Sequence, residues 1–220
     1  MMPKLKLALA TAALLTALPV LQGCVPALVT GAAVSVMSAH DRRSTGTQTD
    51  DETIEWKAKL RIPDQYKNFS NVNFTAYNKR LLLTGEVPSA DAKAAIEAEA
   101  RMVDGIREVY NELGVGPASS LGNRSNDSFI TSKLKARLVD SNQISANHIK
   151  VVTERGIAHL MGIVNEREAK VAVAVARTTA GVLKVVNLME VIDESETRRI
   201  DSQNLGARTA PPQSAPVERR

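Results

Sequence analysis

Two stretches of the chain alternate apolar and polar residues on both sides of a short polar turn. They cover residues 72–85 and residues 149–162, and each ends in the glycine of a Gly-x-Val tripeptide. Alternation with a period of two around a turn is typical of a β-hairpin. The pattern therefore predicts two hairpins, which belong to two copies of one repeated unit.

A helix and a last strand are predicted after each hairpin. Ser89 marks the start of the first helix, and Asn165 with Glu168 resembles a capping box that opens the second. Gly105 and Gly181 are expected to end these helices, because glycine readily adopts the left-handed conformation found beyond helix ends. Both copies thus place a helix between the hairpin and a final strand.

A further helix is predicted ahead of each hairpin, around residues 52–60 and 127–139. Each unit then has the order α-β-β-α-β. This order gives an α+β fold in which two helices pack on a small mixed three-stranded sheet. Units of this size are marginally stable alone, so we expect the two to pack together, with Trp56 as a core or interdomain anchor.

The composition argues against a nucleic-acid partner. Of 220 residues, 44 % are hydrophobic but only 3 % are aromatic, so the cores are expected to be aliphatic. Lysine and arginine number 28 against 24 acidic residues, and Lys4 and Lys6 lie at the extreme N-terminus. Nucleic-acid binding usually requires a clustered basic face, which so small an excess does not indicate.

No constellation of residues predicts catalysis, a metal site or a cofactor. His40, His148 and His159 are dispersed along the sequence, and Cys24 is the single cysteine. The sequence has no glycine-rich phosphate loop, and helix capping explains Glu168 better than acid–base catalysis does. We therefore predict that the protein is not an enzyme.

The N-terminus predicts secretion. Lys4 and Lys6 precede an apolar stretch, residues 7–21, that is too short to span a bilayer as a helix. A positively charged start followed by a short apolar region is the pattern of a signal peptide, here residues 1–23.

The signal peptide ends in Leu21-Gln22-Gly23-Cys24, which resembles the lipobox of bacterial lipoproteins. The resemblance implies cleavage before Cys24, a covalent lipid on its thiol and a lipidated tether over residues 24–46. Val25 implies sorting to the outer membrane. The alternative is an ordinary signal peptide followed by a chance cysteine.

The repeated unit resembles the BON domain, in which Gly-x-Val follows the hairpin and Gly-[Ile/Val]-x-x-Val precedes the last strand. The similarity covers residues 47–192, and Asp41-Arg42-Arg43-Ser44 behind the lipobox is similar to the dual-BON outer-membrane lipoproteins. The expected divisions are a first BON domain at 47–115, a second at 126–192 and a disordered tail at 193–220.

The family resemblance implies a lipid-anchored protein on the periplasmic side of the outer membrane. It also implies support of outer-membrane integrity, recognition of anionic phospholipid and accumulation at division sites. The alternative is an adaptor that docks on outer-membrane assembly machinery without recognising lipid headgroups.

The same resemblance implies that lipid contacts the first helix of the second domain. On a helical wheel, Phe129 points away from Leu134 on the predicted core face. Lys133 and Ala136 flank Phe129, and Arg137 lies between the two faces. An exposed aromatic ring beside cations suits an anionic membrane surface, so these four residues are the expected phospholipid site. The alternative is that Phe129 packs against the first domain and the lysines are only solvated.

Overall fold

The computed structural model describes residues 41–68 and 70–209. The predicted signal peptide, Cys24 and the tether up to residue 40 lie outside the described residues, as do residues 210–220. Both repeated units fall within one compact unit of the chain.

The order α-β-β-α-β is confirmed in both repeats. The first repeat contains α1 (Thr45–Leu60), the short α2 (Asp64–Lys67), β1 (Asn71–Tyr77), β2 (Arg80–Val87), α3 (Ala90–Arg101), β3 (Glu108–Asn111) and β4 (Gly114–Val115). The second contains α4 (Leu121–Asp140), a 3-10 turn (Ala146–His148), β5 (Ile149–Glu154), β6 (Ile157–Val164), α5 (Glu166–Arg177), β7 (Lys184–Asn187) and β8 (Glu190–Val191). A last helix, α6 (Glu194–Thr209), follows.

Each sheet is mixed and has its second strand at the centre. β1 pairs with β2 in antiparallel fashion, whereas β3 and β4 pair with β2 in parallel fashion. β5 to β8 repeat this arrangement around β6. The three-stranded prediction missed β4 and β8, which have two residues each and are too short to show an alternating pattern.

A buried aspartate from the preceding helix holds each hairpin turn. Asn78 and Lys79 have positive φ angles of 52° and 64°, and the two oxygens of Asp51 accept their N–H groups at 2.7 Å. Asp127 accepts both N–H groups of the second turn, residues 155–156, at 2.8 and 2.9 Å. The first helix of each domain is thereby fixed on the tip of its own hairpin.

The Gly-x-Val tripeptide has a steric cause. A Cβ at Gly85 would lie 1.9 Å from the carbonyl oxygen of Asn71, and one at Gly162 would lie 2.3 Å from that of His148. Neither position has room for a side chain. Glycine at these two places therefore permits the start of one strand to approach the end of its partner.

The predicted helix boundaries after the hairpins are confirmed. Ser89 is the N-cap of α3, and Asn165 forms a capping box with Glu168 at the start of α5. Gly105 and Gly181 have φ angles of 90° and 100° and lie in the turns beyond the two helices. Their left-handed conformation allows the chain to reverse toward the last strand.

The two sheets pack against each other, and the helices cover their outer faces. Successive residues of a strand point to opposite faces, so Leu81 and Leu83 of β2 join the core beneath α1 and α3, whereas Leu82 faces the other domain. A buried apolar cluster joins both domains and comprises Tyr77, Leu82, Met161, Ile163 and Leu188. The result is a helix–sheet–sheet–helix sandwich, which fits the expectation that the domains pack together.

His159 lies in this interdomain layer and is 1 % exposed. Its Nδ1 is 3.3 Å from the carbonyl oxygen of Val152, and its Nε2 is 3.8 Å from Glu112 of the first domain. Burial lowers the pKa of His159. The ring is therefore uncharged at neutral pH, in keeping with its apolar neighbours.

The expectation of a disordered tail is wrong for residues 194–209, which form α6. Thr197 is 1 % exposed, and Asp201 accepts hydrogen bonds from Arg42 at 2.8 and 2.9 Å. Because α6 is polar in composition, its sequence gives no indication of these specific contacts with distant residues. Within the described residues, no helix is long and apolar enough to cross a membrane.

The role expected for Trp56 is also wrong, because its side chain is 66 % exposed. Ile54 and Ala58 face the core of the first domain instead. Trp56 projects from α1 into a groove of about 800 Å³ that is also lined by β1, β5 and α4.

Replacing Asp51 by Asn should destabilise the protein by about 2–4 kcal/mol, because the single amide oxygen cannot accept both turn N–H groups as the carboxylate does and Arg43 loses one of its two carboxylate partners. Asp50→Asn is the matched control. The Asp50 carboxylate is exposed and its ion pair with Lys79 lies at the surface, so the change should cost less than about 1 kcal/mol. The free energy of unfolding of both variants is measured by urea denaturation. Equal losses of stability in the two variants would contradict the role given to Asp51.

Candidate lipid-binding helix

The core face of α4 follows the predicted wheel. Ile130, Leu134 and Leu138 are 2 %, 0 % and 0 % exposed, whereas Phe129 is 62 % exposed. Phe129 therefore does not pack into the interdomain layer. Exposing a large apolar ring to water on an otherwise polar helix face is unfavourable. Phe129 is therefore a candidate for contact with another surface.

Lys133 lies one turn beyond Phe129 and covers its ring. The Nζ atom is 4.7 Å from the ring centroid and donates a hydrogen bond to the carbonyl oxygen of Ala180 at 3.0 Å. An ammonium group has three N–H donors, so this contact leaves donors for an anionic group. The ammonium group is therefore held over the face of the ring, so that a cation and an exposed aromatic side chain lie together on this surface.

Ala136 continues the exposed face, whereas Arg137 serves a different purpose. The Arg137 guanidinium donates to the carbonyl oxygen of Val175 at 3.2 Å and to the hydroxyl groups of Thr179 and Thr178 at 2.9 and 3.1 Å. These groups belong to the C-terminal end of α5, where a cation also interacts favourably with the helix dipole. The structure thus joins Phe129, Lys133 and Ala136 on one face and commits much of Arg137 to packing α5 on α4.

Two contacts fix the position of α4. The buried Asp127 carboxylate binds the turn at residues 155–156, and Thr131 shares a hydrogen bond of 2.8 Å with Thr153 on β5. The exposed ring of Phe129 is therefore carried by a rigid element, so contact with a surface requires little ordering of the backbone.

A second cluster, missed by the sequence analysis, binds the N-terminal segment to the second domain. Arg42 is 6 % exposed, and its Nη1 lies 2.6 Å from a Glu168 carboxylate oxygen. The same guanidinium reaches Asp201 of α6 at 2.8 Å, and His148 Nδ1 lies 3.7 Å from Glu168. The only sequence sign of Glu168 was its capping position, because its partner Arg42 is distant in the chain.

Burial alone would raise the pKa of Glu168, but the nearby His148 ring and the hydrogen bonds from Arg42 and the N–H of Asn165 oppose this effect. Together with the charge of Arg42 they lower the pKa to about 2. The carboxylate is therefore charged throughout the neutral range and remains bound to Arg42. Within the described residues, no group of three His, Cys, Asp or Glu side chains is arranged to hold a metal ion.

Glu168 should contribute to loss of stability in acid. Its folded pKa of about 2 lies below the ordinary value of 4.5, so its contribution is complete above about pH 4.5 and is lost as the pH falls toward 2. The difference corresponds to on the order of 3 kcal/mol. Between pH 5 and pH 2.5, the free energy of unfolding measured in urea should fall less for Glu168→Gln than for the unchanged protein. The difference between the two declines should be about this size. Parallel declines would show that Glu168 is not the group involved.

Two copies of one α-β-β-α-β unit, packed sheet to sheet, define a tandem two-domain α+β protein. The BON domain family matches residues 50–117 and 126–193. The chain therefore belongs to the BON-domain family and carries two BON domains, as the resemblance implied.

Curated relatives extend the similarity beyond the domains. Outer membrane lipoprotein DolP of Haemophilus influenzae is 40 % identical over 184 residues, which are 83 % of this chain and 95 % of that protein. The 21 kDa hemolysin of Actinobacillus pleuropneumoniae is 34 % identical over 154 residues, 69 % of this chain and 79 % of that protein. Osmotically-inducible protein Y of Escherichia coli is 29 % identical over 147 residues, 64 % of this chain and 73 % of that protein.

Proposed function

We propose that this protein is an outer-membrane lipoprotein, anchored through a lipid on Cys24 and facing the periplasm, whose second BON domain binds anionic phospholipid through α4. The observation that carries the proposal is Phe129, which is 62 % exposed with the Lys133 ammonium 4.7 Å from its ring centroid. In its bound state the ring enters the headgroup region, and Lys133 meets a phosphate.

The name of the Haemophilus relative supports the location, since that protein is an outer membrane lipoprotein and aligns with 83 % of this chain. From the family resemblance we also propose that its cellular role is to support envelope integrity, with recruitment to division sites. The proposal assigns no catalytic step to either domain and needs no cofactor besides the covalent lipid.

An amphipathic contact of this kind adds to the anchor. One acyl chain binds a bilayer only marginally, whereas several chains hold it firmly. A firmly anchored protein does not need α4 for attachment. The helix instead selects the composition of the lipid beneath it, because its binding depends on anionic headgroups.

Phe129→Ala and Lys133→Glu should each weaken binding to anionic vesicles about tenfold or more, through loss of an inserted ring and reversal of a phosphate-binding charge. The measurement is co-sedimentation of residues 25–220, which contain the whole compact unit, with vesicles of equal parts phosphatidylglycerol and phosphatidylcholine. Vesicles of phosphatidylcholine alone should bind weakly.

Lys135→Glu and Leu121→Ala are the matched controls. Lys135 lies on another face of α4 and is exposed, and Leu121 is 80 % exposed at the start of the same helix. Both should retain binding within about twofold. Arg137 is unsuitable for this test because its replacement would also release α5. If Lys133→Glu and Lys135→Glu weakened vesicle binding equally, the effect would be explained by net charge alone. That result would contradict a defined site.

Cys24→Ser in the full-length chain should prevent lipid attachment and move the protein from the membrane fraction to the soluble or unprocessed fraction, because the thiol is the acceptor of the lipid. Mass spectrometry of the N-terminal peptide gives an independent measurement. A membrane-bound Cys24→Ser protein of unchanged processing would contradict the lipid anchor.

A protein-interaction role is the second candidate, and the exposed Trp56 favours it. Tryptophan is enriched at protein interfaces, and the groove beside Trp56 lies on the opposite side of α4 from Phe129. If residues 25–220 fail to bind anionic vesicles, the adaptor role becomes the better proposal. Cross-linking from Trp56 to an outer-membrane assembly protein, lost in Trp56→Ala, would then support it.

A further inference from the structure

The loop between α5 and β7 carries the most exposed large apolar side chain among the described residues. Leu183 is 82 % exposed. Its structural counterpart in the first domain is Arg107, because the N–H of Arg107 donates to Lys79 O at 2.7 Å and that of Leu183 donates to Gly156 O at 2.8 Å. The second domain thus presents leucine where the first presents a cation.

The same difference occurs at the position of Phe129. Asp51 and Asp127 perform the same role in the two domains, so Thr53 occupies in α1 the place that Phe129 occupies in α4. Both exposed apolar side chains therefore belong to the second domain, and both are polar in the first. The two differences together give the second domain an apolar surface that the first domain lacks at the matching positions.

The loop lies against the face of α4 that carries Phe129. Lys133 donates a hydrogen bond to Ala180 O at 3.0 Å, and a Cβ at Gly181 would lie 2.9 Å from the side chain of Ile130. Glycine is thus needed for the loop to approach the helix. Two residues before Leu183, the chain is in direct contact with α4.

The Leu183 side chain lies over Gly156, in a shallow depression that it shares with Asn126 and the exposed Arg155. Asn126 precedes Phe129 by one turn of α4, so Leu183 lies at the N-terminal end of the same exposed face. Gly156 is itself bound to Asp127 by a hydrogen bond of 2.9 Å. The leucine is therefore held on a rigid support.

We propose that Leu183 is a second membrane-inserting side chain, so that α4 and the α5–β7 loop meet the bilayer together; this inference rests on the proposed function. The occupant is an anionic bilayer surface, because Lys133 places a cation over Phe129 and in contact with the loop that carries Leu183. Two insertion points also fix the rotation of the domain about the axis of α4, which a single inserted ring leaves free.

Leu183→Ala should weaken binding to vesicles of equal parts phosphatidylglycerol and phosphatidylcholine about tenfold, measured on residues 25–220. Leu60→Ala is the matched control, since Leu60 is 58 % exposed at the end of α1 in the first domain and should have no effect. Because Leu183 is so exposed, the variant should unfold at the same urea concentration as the unchanged protein.

A second measurement detects insertion directly. Trp56 is the single tryptophan of the chain, so Leu183→Trp combined with Trp56→Phe leaves one fluorophore in the loop. Lipids brominated on their acyl chains should quench this tryptophan. Leu60→Trp in the same Trp56→Phe background should not be quenched.

The outcomes separate this inference from the proposed function. If the unchanged chain does not bind anionic vesicles, both are overturned. If Phe129→Ala weakens binding but Leu183→Ala does not, and the tryptophan at position 183 is not quenched, the proposed function stands and the second insertion point is wrong.

Discussion

The surface of the second domain depends on the buried Asp127 carboxylate. Its two oxygens bind the two N–H groups of the turn at residues 155–156, which joins the first helix of the domain to the tip of the hairpin. Ile130 then falls on the core and Phe129 on the outside, because the helix cannot rotate. The same turn carries Gly156, whose carbonyl oxygen binds the N–H of Leu183. One carboxylate thus positions both a helix and a loop.

Asp51 gives the first domain the same scaffold with a different exterior. Thr53 replaces the exposed phenylalanine, Arg107 replaces the exposed leucine, and Asp50 adds an acidic group at the surface of α1. Nothing in the packing requires these differences, because the core positions Ile54 and Ile130 are the same residue in equivalent places. Comparison of the two repeats therefore distinguishes the residues that the fold requires from those that are specific to the surface of one domain.

The sequence predicted the features that depend on neighbouring residues. The hairpins, the Asn165–Glu168 capping box and the two turn glycines each follow from a short pattern, and the core face of α4 follows from its helical period. Contacts between distant residues were not predictable in this way. Arg42 and Asp201 have polar neighbours and no periodic pattern, so the ion pair that docks α6 left no local sign. Trp56 was assigned to a core or interdomain position by its residue type, yet the helical wheel already places it beside neither Ile54 nor Ala58.

The arginines at positions 42 and 43 show how the segment beyond Cys24 joins the folded unit. Arg42 binds Glu168 of the second domain at 2.6 Å, whereas Arg43 binds Asp51 of the first domain at 2.7 Å. Consecutive residues therefore hold one domain each, at buried carboxylates that already support a helix cap and a hairpin turn. Each guanidinium also binds a second carboxylate, Asp201 for Arg42 and Asp41 for Arg43, and removing Glu168 or Asp51 would leave a largely buried charge only partly compensated, which is more costly than loss of a surface ion pair. In the proposed function, a tether attached here would transmit its position to both domains, and so to the orientation in which the second domain meets the membrane.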